Sequence, residues 1–445
     1  MPSGRPTYAN IIAIAWPAAL SGVAAPLLGL VDIWAIGHSD RPIEIAAIAL
    51  GALVFSYLYW GFSFLRIAGA GLGAQALGAG DADELTLSLG RLIVLALIIS
   101  AVILALQIPA ARLAFALLDG SAKTESAAET YFRIRVWGAP AFLILFGVSG
   151  WLTGQGRTGV VMAVAFLQNA VNAGLDVWFV NGLGLGAAGV AYGTLIAEYA
   201  GAAAALGAGF RLLAQRGAFR ALDLARLADP TELGKLLGVN RDVFLRTIGI
   251  VFAFSWFANQ GARQGDLVLA GNQILIQFFL IAAFALDGAA IAAESLVGRA
   301  VGARSWARYA LAVRRTGWVT LAIAVITTAA YAVFGETMIG ILTGEPELRA
   351  QARAYLPWAV FVPLLTAGAF HLDGVYIGAL RSRDLRDSMA VAVMGFLALW
   401  FALQPFGNHG LWAAFMGFFL LRWGALAWRL PAARARLFAA PGAAA

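Results

Sequence analysis

The chain of 445 residues contains no cysteine and only three histidines, His38, His371 and His409. The absence of cysteine excludes disulfide bonds, thiolate metal sites and cysteine nucleophiles. The histidines are far apart in the sequence and form neither an H-x₃-H nor an H-E-x-x-H pattern. We therefore expect no metal site and no cofactor. A G-x-x-x-x-G-K-[ST] pattern is also missing, so direct use of ATP is not expected.

Charged residues are scarce at 12% of the chain, whereas apolar residues make up 61%. Soluble domains typically carry about 25% charged and 45–50% apolar residues. Apolar side chains would have to cover most of the surface of a soluble protein with this composition. The composition therefore excludes an ordinary soluble enzyme, a nucleic-acid-binding domain and a disordered chain. Together with a mean hydropathy of +0.80, it predicts a polytopic membrane protein.

Twelve stretches of the sequence are long and apolar enough to cross a membrane, since a spanning helix needs about 20 such residues. They are 9–36, 44–73, 88–116, 131–153, 159–179, 185–210, 243–262, 267–297, 306–340, 349–378, 388–405 and 409–430. Strands of a membrane barrel are about 10 residues long and alternate in polarity, so a barrel is disfavoured. The prediction is an all-α polytopic membrane protein with twelve transmembrane helices.

The arginines indicate the topology of the chain. If the N-terminus lies in the cytoplasm, most arginines fall in inner segments and few fall in outer loops. This bias is typical of cytoplasmic loops, so we predict a multi-pass protein of the inner (plasma) membrane with both termini cytoplasmic. The long polar stretch 211–242 is predicted to be a cytoplasmic linker with a short amphipathic helix. It separates an N-terminal lobe, residues 1–210, from a C-terminal lobe, residues 243–445.

The two halves of the chain repeat at an offset of 224 residues. At this offset Arg91 matches Arg315 and Tyr131 matches Tyr355. The matching glycines are Gly78 with Gly302, Gly120 with Gly344, Gly150 with Gly374, and Gly154 with Gly378. Six helices in each half give both halves the same orientation, so we predict two six-helix lobes related by a parallel internal repeat. Such lobes enclose a cleft and suit alternating access.

Carboxylates inside membrane helices are functional candidates because a charge there is costly. Asp32 and Asp176 each lie about 7–8 Å below an outer loop, at 1.5 Å per helical residue. Asn172 and Asn169 continue the polar stripe of the Asp176 helix. We predict that these four residues form a cation or proton site, with H⁺ as the coupling ion and Na⁺ at Asp32, Asn172 and Asp176 as the alternative. The competing interpretation is that both carboxylates are hydrated or paired near the interface.

Three further polar residues in the first half are candidates for the site or a substrate cavity. Thr194 would add a hydroxyl to the cation site. Glu198 would face the cavity or hydrogen-bond a neighbouring helix. Arg66 lies deep in predicted helix 2, where it would line a substrate cavity or pair with a carboxylate.

The second half contributes three more candidates. Asp287 and Glu294 are seven residues apart and share one face of predicted helix 8. They would either close the lobe interface or pair with Arg299. Asp373 lies in predicted helix 10, where nearby His371 also allows a structural pair.

Local motifs in both halves resemble one known family. Predicted helix 1 ends in PLLGLVDIWAIGH at 26–38, and predicted helix 2 is followed by QALGAGD at 75–81. The second half contains GDLVLA at 265–270, LDGAA at 286–290 and ESLVG at 294–298. In this order, the motifs resemble the multidrug and toxic compound extrusion (MATE) family. The helix 8 segment resembles its DNA-damage-inducible protein F (DinF) branch.

The resemblance implies a secondary active antiporter that exports drugs or other amphipathic, cationic organic compounds in exchange for H⁺ or Na⁺. It also implies that Asp32 matches the family's helix 1 aspartate and that Asn172 and Asp176 match its helix 5 pair. Asp373 matches a cation-site aspartate of the NorM-like branch. We expect small organic compounds and membrane lipid as partners, no nucleic acid, and a monomer.

Two other function classes fit the sequence less well than the exporter. A flippase for lipid-linked sugars, or for another lipid-like substrate, would need a strongly cationic cavity. The predicted cavity carboxylates outweigh buried arginine, although Arg66 could support this alternative. A membrane-embedded enzyme or receptor would need a nucleophile–base pair or a metal motif, and the sequence shows neither. We therefore predict that the chain is not an enzyme.

Overall fold

A computed structural model describes residues 6–37, 42–116, 122–218, 224–227 and 229–438. Within these ranges some side chains fall outside the described set, and those of residues 23–37 are among them. The side chain of Asp32 therefore lies outside the described part of the structure. The described residues form helices joined by short turns, and no strand occurs among them.

The first half of the described chain forms nine α-helices. They are α1 Tyr8–Gly37, α2 Pro42–Gly61, α3 Phe64–Ala79, α4 Ala82–Ala105, α5 Gln107–Ala116, α6 Ala122–Arg135, α7 Ala139–Gly154, α8 Thr158–Asp176 and α9 Gly186–Gln215. A 3₁₀ segment, Val136–Gly138, joins α6 to α7, and a π-helical segment, Val177–Gly182, extends α8.

The second half of the described chain forms seven more α-helices. They are α10 Leu224–Leu227, α11 Pro230–Arg263, α12 Asp266–Gly302, α13 Trp306–Leu342, α14 Pro346–Gly378, α15 Ser382–Leu403 and α16 Gly407–Phe438. Apart from α10, which lies in the predicted linker, the helices group into the twelve predicted stretches. Eight segments of the described chain are long and apolar enough to span a membrane by themselves.

Prolines explain two of the places where a predicted stretch is divided between two helices. The stretch 88–116 divides at Leu106, three residues before Pro109, which has no N–H to donate to the preceding turn. The stretch 131–153 divides at Val136–Gly138, just before Pro140. A proline ring clashes with the carbonyl four residues earlier, so the helix changes its geometry there.

Helix α11 begins at Pro230, well before the predicted start at 243. Proline is favoured in the first turn of a helix, where its missing N–H is not needed. The polar side chains in this part of the helix lowered its apparent hydropathy. One of them, Asp242, is buried because Arg386 and Ser382 contact its carboxylate at 2.9 and 3.1 Å. The polar stretch is therefore partly the beginning of a long helix.

The backbone repeats the pattern of the sequence at the 224-residue offset. Gly80 and Arg304 both have positive φ, at 70° and 49°, although only one of them is a glycine. The next residues, Asp81 and Ser305, cap the helices that follow: each side chain accepts a hydrogen bond from a backbone N–H three residues on. The same turn and the same helix start are therefore built twice from different residues.

Glycines bring two pairs of helices into backbone contact at equivalent positions. In α7, a Cβ on Gly150 would overlap the carbonyl oxygen of Arg66 in α3. In α14, a Cβ on Gly374 would overlap the carbonyl oxygen of Ala290 in α12. Gly154 and Gly378, one turn further along, are equally tight. Because side chains cannot fit between these helices, glycine sets their separation.

Two matched arginines hold backbone segments that precede long helices. Arg91 in α4 donates to the carbonyl of Arg226 at 3.2 Å, just before α11 begins. Arg315 in α13 donates to the carbonyl of Pro6 at 2.6 Å, just before α1 begins. Its guanidinium also lies 5.3 Å from the ring centre of Tyr8. Each contact holds a backbone carbonyl that lies a few residues before a long helix.

The chain divides into two compact units, Leu20–Leu236 and Met1–Ala19 with Leu237–Ala445. The core of the first contains Phe55 and Phe132, whose rings stack at 5.3 Å. The core of the second is richer in aromatic residues and centres on Phe257 and Phe415. The division at 210 and 243 into two lobes and a linker stays a prediction.

We expect Gly374→Ala to destabilise the protein by about 1–3 kcal/mol, because the added methyl group must push α12 and α14 apart. Gly424 in α16 is the matched control, since a Cβ there meets no atom within 4 Å. Gly424→Ala should be neutral or stabilising by up to about 1 kcal/mol, as expected for a helical glycine. Thermal unfolding of the purified variants in detergent measures both. Equal effects at the two positions would contradict the close-packing account.

Candidate ion-coupling site

A buried polar cluster lies where α8 packs against α9. Asn172 and Asp176 are both 0% exposed, and their spacing of four residues places them on one face of α8. The amide Nδ2 of Asn172 donates to Thr194 Oγ1 in α9 at 3.2 Å. Thr194 in turn donates to the backbone carbonyl of Val190 at 2.9 Å. Because the Thr194 hydroxyl donates its proton to Val190, it must accept from Asn172, so the direction of both hydrogen bonds is fixed.

The hydrogen-bond chain leaves one acceptor of the cluster available. Asn172 Oδ1 is buried and has no hydrogen-bond partner among the described residues. A buried amide oxygen without a donor is costly, and it is also a good ligand for a proton donor or a hard cation. The cluster can therefore accept a ligand of that kind.

Glycine allows α9 to approach the carboxylate of Asp176. A Cβ on Gly193 would overlap Asp176 Oδ1, so no larger residue fits there without movement of the carboxylate. Gly193 directly precedes Thr194, so adjacent residues of α9 contact Asp176 and Asn172. The structure thus brings together Asn172, Asp176 and Thr194, and their role as a cation or proton site stays a prediction.

The helix changes its geometry immediately after Asp176. The π-helical segment Val177–Gly182 follows, and the N–H of Leu183 donates to the carbonyl of Trp178 at 3.0 Å. Single π-helical turns are rare and occur often at functional sites. Asn169, which was predicted to extend the site, is half-buried one turn before Asn172. The contribution of Asp32 stays a prediction, because its side chain is outside the described part.

Glu198 in α9 forms a separate buried ion pair. Its Oε1 lies 3.5 Å from Nη2 of Arg135 in α6. Arg135 also donates to the Tyr131 hydroxyl at 2.9 Å and lies 4.8 Å from the ring centre of Phe55. Of the two environments predicted for Glu198, the structure has the contact with a neighbouring helix. Arg135 was missed, although its i, i+4 spacing from Tyr131 and the apolar residues around it were visible signals.

Asp373 in the second unit contacts two arginines. Arg246 of α11 donates to Asp373 Oδ2 at 2.6 Å, and Arg422 of α16 donates to the same oxygen. All three side chains are largely buried. His371 instead contacts Thr316 Oγ1 at 3.1 Å, so the suggested pair of Asp373 with His371 is replaced by contacts with arginine. Arg246 and Arg422 were both missed by the sequence analysis.

The remaining candidates lie on the tightly packed helices α3 and α12. Arg66 is half-buried in α3 and its carbonyl contacts Gly150. Glu294 is 1% exposed in α12, and its carbonyl contacts Gly378. Arg299 donates to Ser295 at 2.8 Å. Asp287 lies on the same helix, close enough to attract the guanidinium of Arg422. Within the described ranges, no three histidine or acidic residues are grouped as a metal site would require.

Comparison with known proteins identifies the family. The sequence profile of the MatE family matches residues 17–178 and matches again over residues 245–405. The chain belongs to the MatE family. The two separate matches correspond to the two halves of the predicted repeat.

Relatives of this MatE protein include the DNA damage-inducible protein F of Escherichia coli strain K12. The two are 36% identical over 422 residues, which cover 94% of this chain and 91% of the relative. A probable multidrug resistance protein NorM of Caulobacter vibrioides is 27% identical over 467 residues, with 94% and 92% coverage. The resemblance to the MATE family and its DinF branch is therefore confirmed.

Solved structures show the same fold. A crystal structure of MATE in the bent conformation superposes with a TM-score of 0.84 at 19% identity, and covers 97% of this chain and 96% of its own. A MOP superfamily transporter from Pyrococcus furiosus gives 0.81 at 20% identity, with the same coverage. The MatE chain thus has the two-lobe, all-α fold of twelve transmembrane helices. It is an integral membrane protein whose relatives are multidrug and toxic-compound efflux transporters, not enzymes.

We expect Arg135→Met to destabilise the protein by about 3–5 kcal/mol, because it leaves the Glu198 carboxylate buried without its cation. Adding Glu198→Gln should restore most of this loss. Arg133→Met is the matched control: Arg133 is 73% exposed and pairs with Glu129, so its loss should cost less than about 1 kcal/mol. Thermal unfolding in detergent measures the cycle. A double variant no more stable than Arg135→Met alone would contradict a direct ion pair.

Proposed function

We propose that this MatE protein is a secondary active antiporter of the inner membrane, with both termini in the cytoplasm. It exports amphipathic, cationic organic compounds in exchange for H⁺, with Na⁺ as the alternative coupling ion. The observation that carries the proposal is the fully buried carboxylate of Asp176 beside the free acceptor of Asn172. Its relatives include a probable multidrug resistance protein, which supports the substrate class.

A carboxylate in this position suits reversible proton binding. Burial in a medium of low polarity penalises the charged form of a carboxyl group, so protonation lowers the cost of keeping it buried. The protonated carboxyl group can donate to an acceptor such as Asn172 Oδ1, one turn away on the same face. An Na⁺ ion would use the same oxygens, since carboxylate and amide oxygens are ligands for hard cations.

Three other buried carboxylates are already neutralised by arginine. Glu198 pairs with Arg135, and Asp373 and Asp242 are likewise held by arginines. An acid that is held by a guanidinium gains little from a proton. These three carboxylates are therefore poorly suited to exchange a proton.

Competition for one negative charge couples the two fluxes. A proton and a cationic substrate cannot both neutralise the same carboxylate, so binding of one favours release of the other. Alternating access then lets the proton enter from outside and leave inside, while the substrate moves outward. The exchange of one proton for one monovalent cation is electroneutral.

The flippase alternative requires an excess of buried positive charge. Arg246 and Arg422 are buried cations of the kind it needs. Both contact Asp373, however, and Asp287 also attracts Arg422. The positive charges are therefore compensated locally, which favours the exporter.

We expect Asp176→Asn to abolish proton-driven export, because an amide cannot exchange a proton. Purified protein in liposomes, with ethidium as the fluorescent lipophilic cation, measures transport under an imposed H⁺ gradient and separately under an Na⁺ gradient. Asp32→Asn is expected to give the same loss. Glu347→Gln is the matched control, since Glu347 is an exposed carboxylate in the first turn of α14.

The two gradients separate the coupling ions. Transport by the wild type with H⁺ alone supports the proposal, whereas transport that needs Na⁺ overturns proton coupling. Proton-driven export at the wild-type rate by Asp176→Asn would overturn the role of the carboxylate. Thermal unfolding of each variant shows whether a loss of transport reflects a loss of folding.

A further inference from the structure

A groove unrelated to the ion-coupling cluster lies at the other end of α8 and α9. It has a volume of about 510 Å³, and its lining residues come from the end of α7, the start of α8 and the end of α9. Those that matter here are Leu152, Arg157, Val160, Arg211, Leu212 and Gln215. In the proposed topology this end of the helices is at the cytoplasmic surface of the membrane.

The polar part of the groove is positively charged. Arg157 and Arg211 are both exposed, and neither guanidinium has a hydrogen bond or ion pair with any described residue. No acidic residue is among the described residues that line the groove. Nearby Arg216 donates to Gln155, and burial together with Arg157 lowers the pKa of Arg216. The groove therefore offers two uncompensated guanidinium groups, with a third positive charge near them.

The wall of the groove beside these charges is apolar. Leu152 and Leu212 are buried, and Val160 is partly buried beside them. Gly207 lies in the lining, and a Cβ on it would meet no atom within 4 Å. This small residue leaves open space next to the apolar wall, in which a hydrocarbon chain fits.

We propose that this groove binds one anionic phospholipid of the inner leaflet. The phosphodiester would lie between Arg157 and Arg211, and an acyl chain would lie along Leu152, Val160 and Leu212. A guanidinium binds phosphate oxygens through paired N–H groups. Basic pockets between membrane helices on the cytoplasmic side suit lipid head groups of this kind. The combination of adjacent apolar wall and positive charge selects a lipid over a soluble phosphate.

The binding test compares thermal unfolding in detergent with added phosphatidylglycerol and with added phosphatidylcholine. We expect phosphatidylglycerol to raise the Tm of the wild type more than phosphatidylcholine does. Arg157→Gln with Arg211→Gln should remove this difference. Arg383→Gln with Arg436→Gln is the matched control, since both are exposed arginines outside the groove and the change in net charge is the same.

A second variant tests the apolar wall without changing the charge. Gly207→Phe should fill the groove and remove the phosphatidylglycerol shift, whereas Gly207→Ala should keep it. The Tm in phosphatidylcholine shows that each variant is folded. These readouts are independent of transport, so they can fail while the proposed antiport stands.

Three outcomes would overturn the proposal. One is a phosphatidylglycerol shift that survives both the double arginine variant and Gly207→Phe. Another is that the Arg383→Gln and Arg436→Gln control loses as much of the phosphatidylglycerol shift as the groove variant does, which would indicate general attraction of anionic lipid to the inner surface. The third is an equal Tm rise with soluble glycerol phosphate, which indicates a phosphate site without a lipid chain.

Discussion

A charge that is removed from water must be compensated nearby, and this constraint governs where ionisable groups lie in the protein. The effective penalty is several kcal/mol for each ion. Arg135 with Glu198, and Arg246 and Arg422 with Asp373, satisfy the constraint with short contacts between helices. The pairs serve as fixed connections in the interior.

The cluster of Asn172, Asp176 and Thr194 is built differently. Its contacts use an amide, a hydroxyl and the backbone of α9, and a glycine makes the close approach possible. None of these groups carries a positive charge. Neutral hydrogen bonds thus connect Asn172 of α8 to Thr194 and Val190 of α9.

Much of the fold could be predicted from the sequence, because continuous hydropathy and the repeat are properties of whole segments. Asn172 and Asp176 were also accessible, since a spacing of four residues places polar groups on one face of a single helix. Contacts between segments that are distant in the sequence could not be predicted in this way. Arg246, Arg422 and Arg135 look like inner-face markers or isolated charges until folding places Asp373 and Glu198 beside them.

The beginning of α11 shows a second limit of sequence analysis. Hydropathy treats Asp242 as a residue of a soluble linker, although its carboxylate is buried in contact with Arg386 and Ser382. A window average records the polarity of a side chain but not whether that polarity is satisfied. Hydropathy therefore predicts too short a length for a helix whose polar side chains have partners inside the protein.

The backbone contacts of Arg91 and Arg315 have a consequence for separated halves of the chain. Arg91 comes from the first half and holds residues that lead into α11, whereas Arg315 comes from the second half and holds residues that lead into α1. The segment before the first long helix of each half is therefore held by an arginine of the other half. If either half were produced alone, its arginine, Arg91 or Arg315, would lose the backbone carbonyl that accepts its hydrogen bond. Duplication has made the two halves structurally alike but mutually dependent.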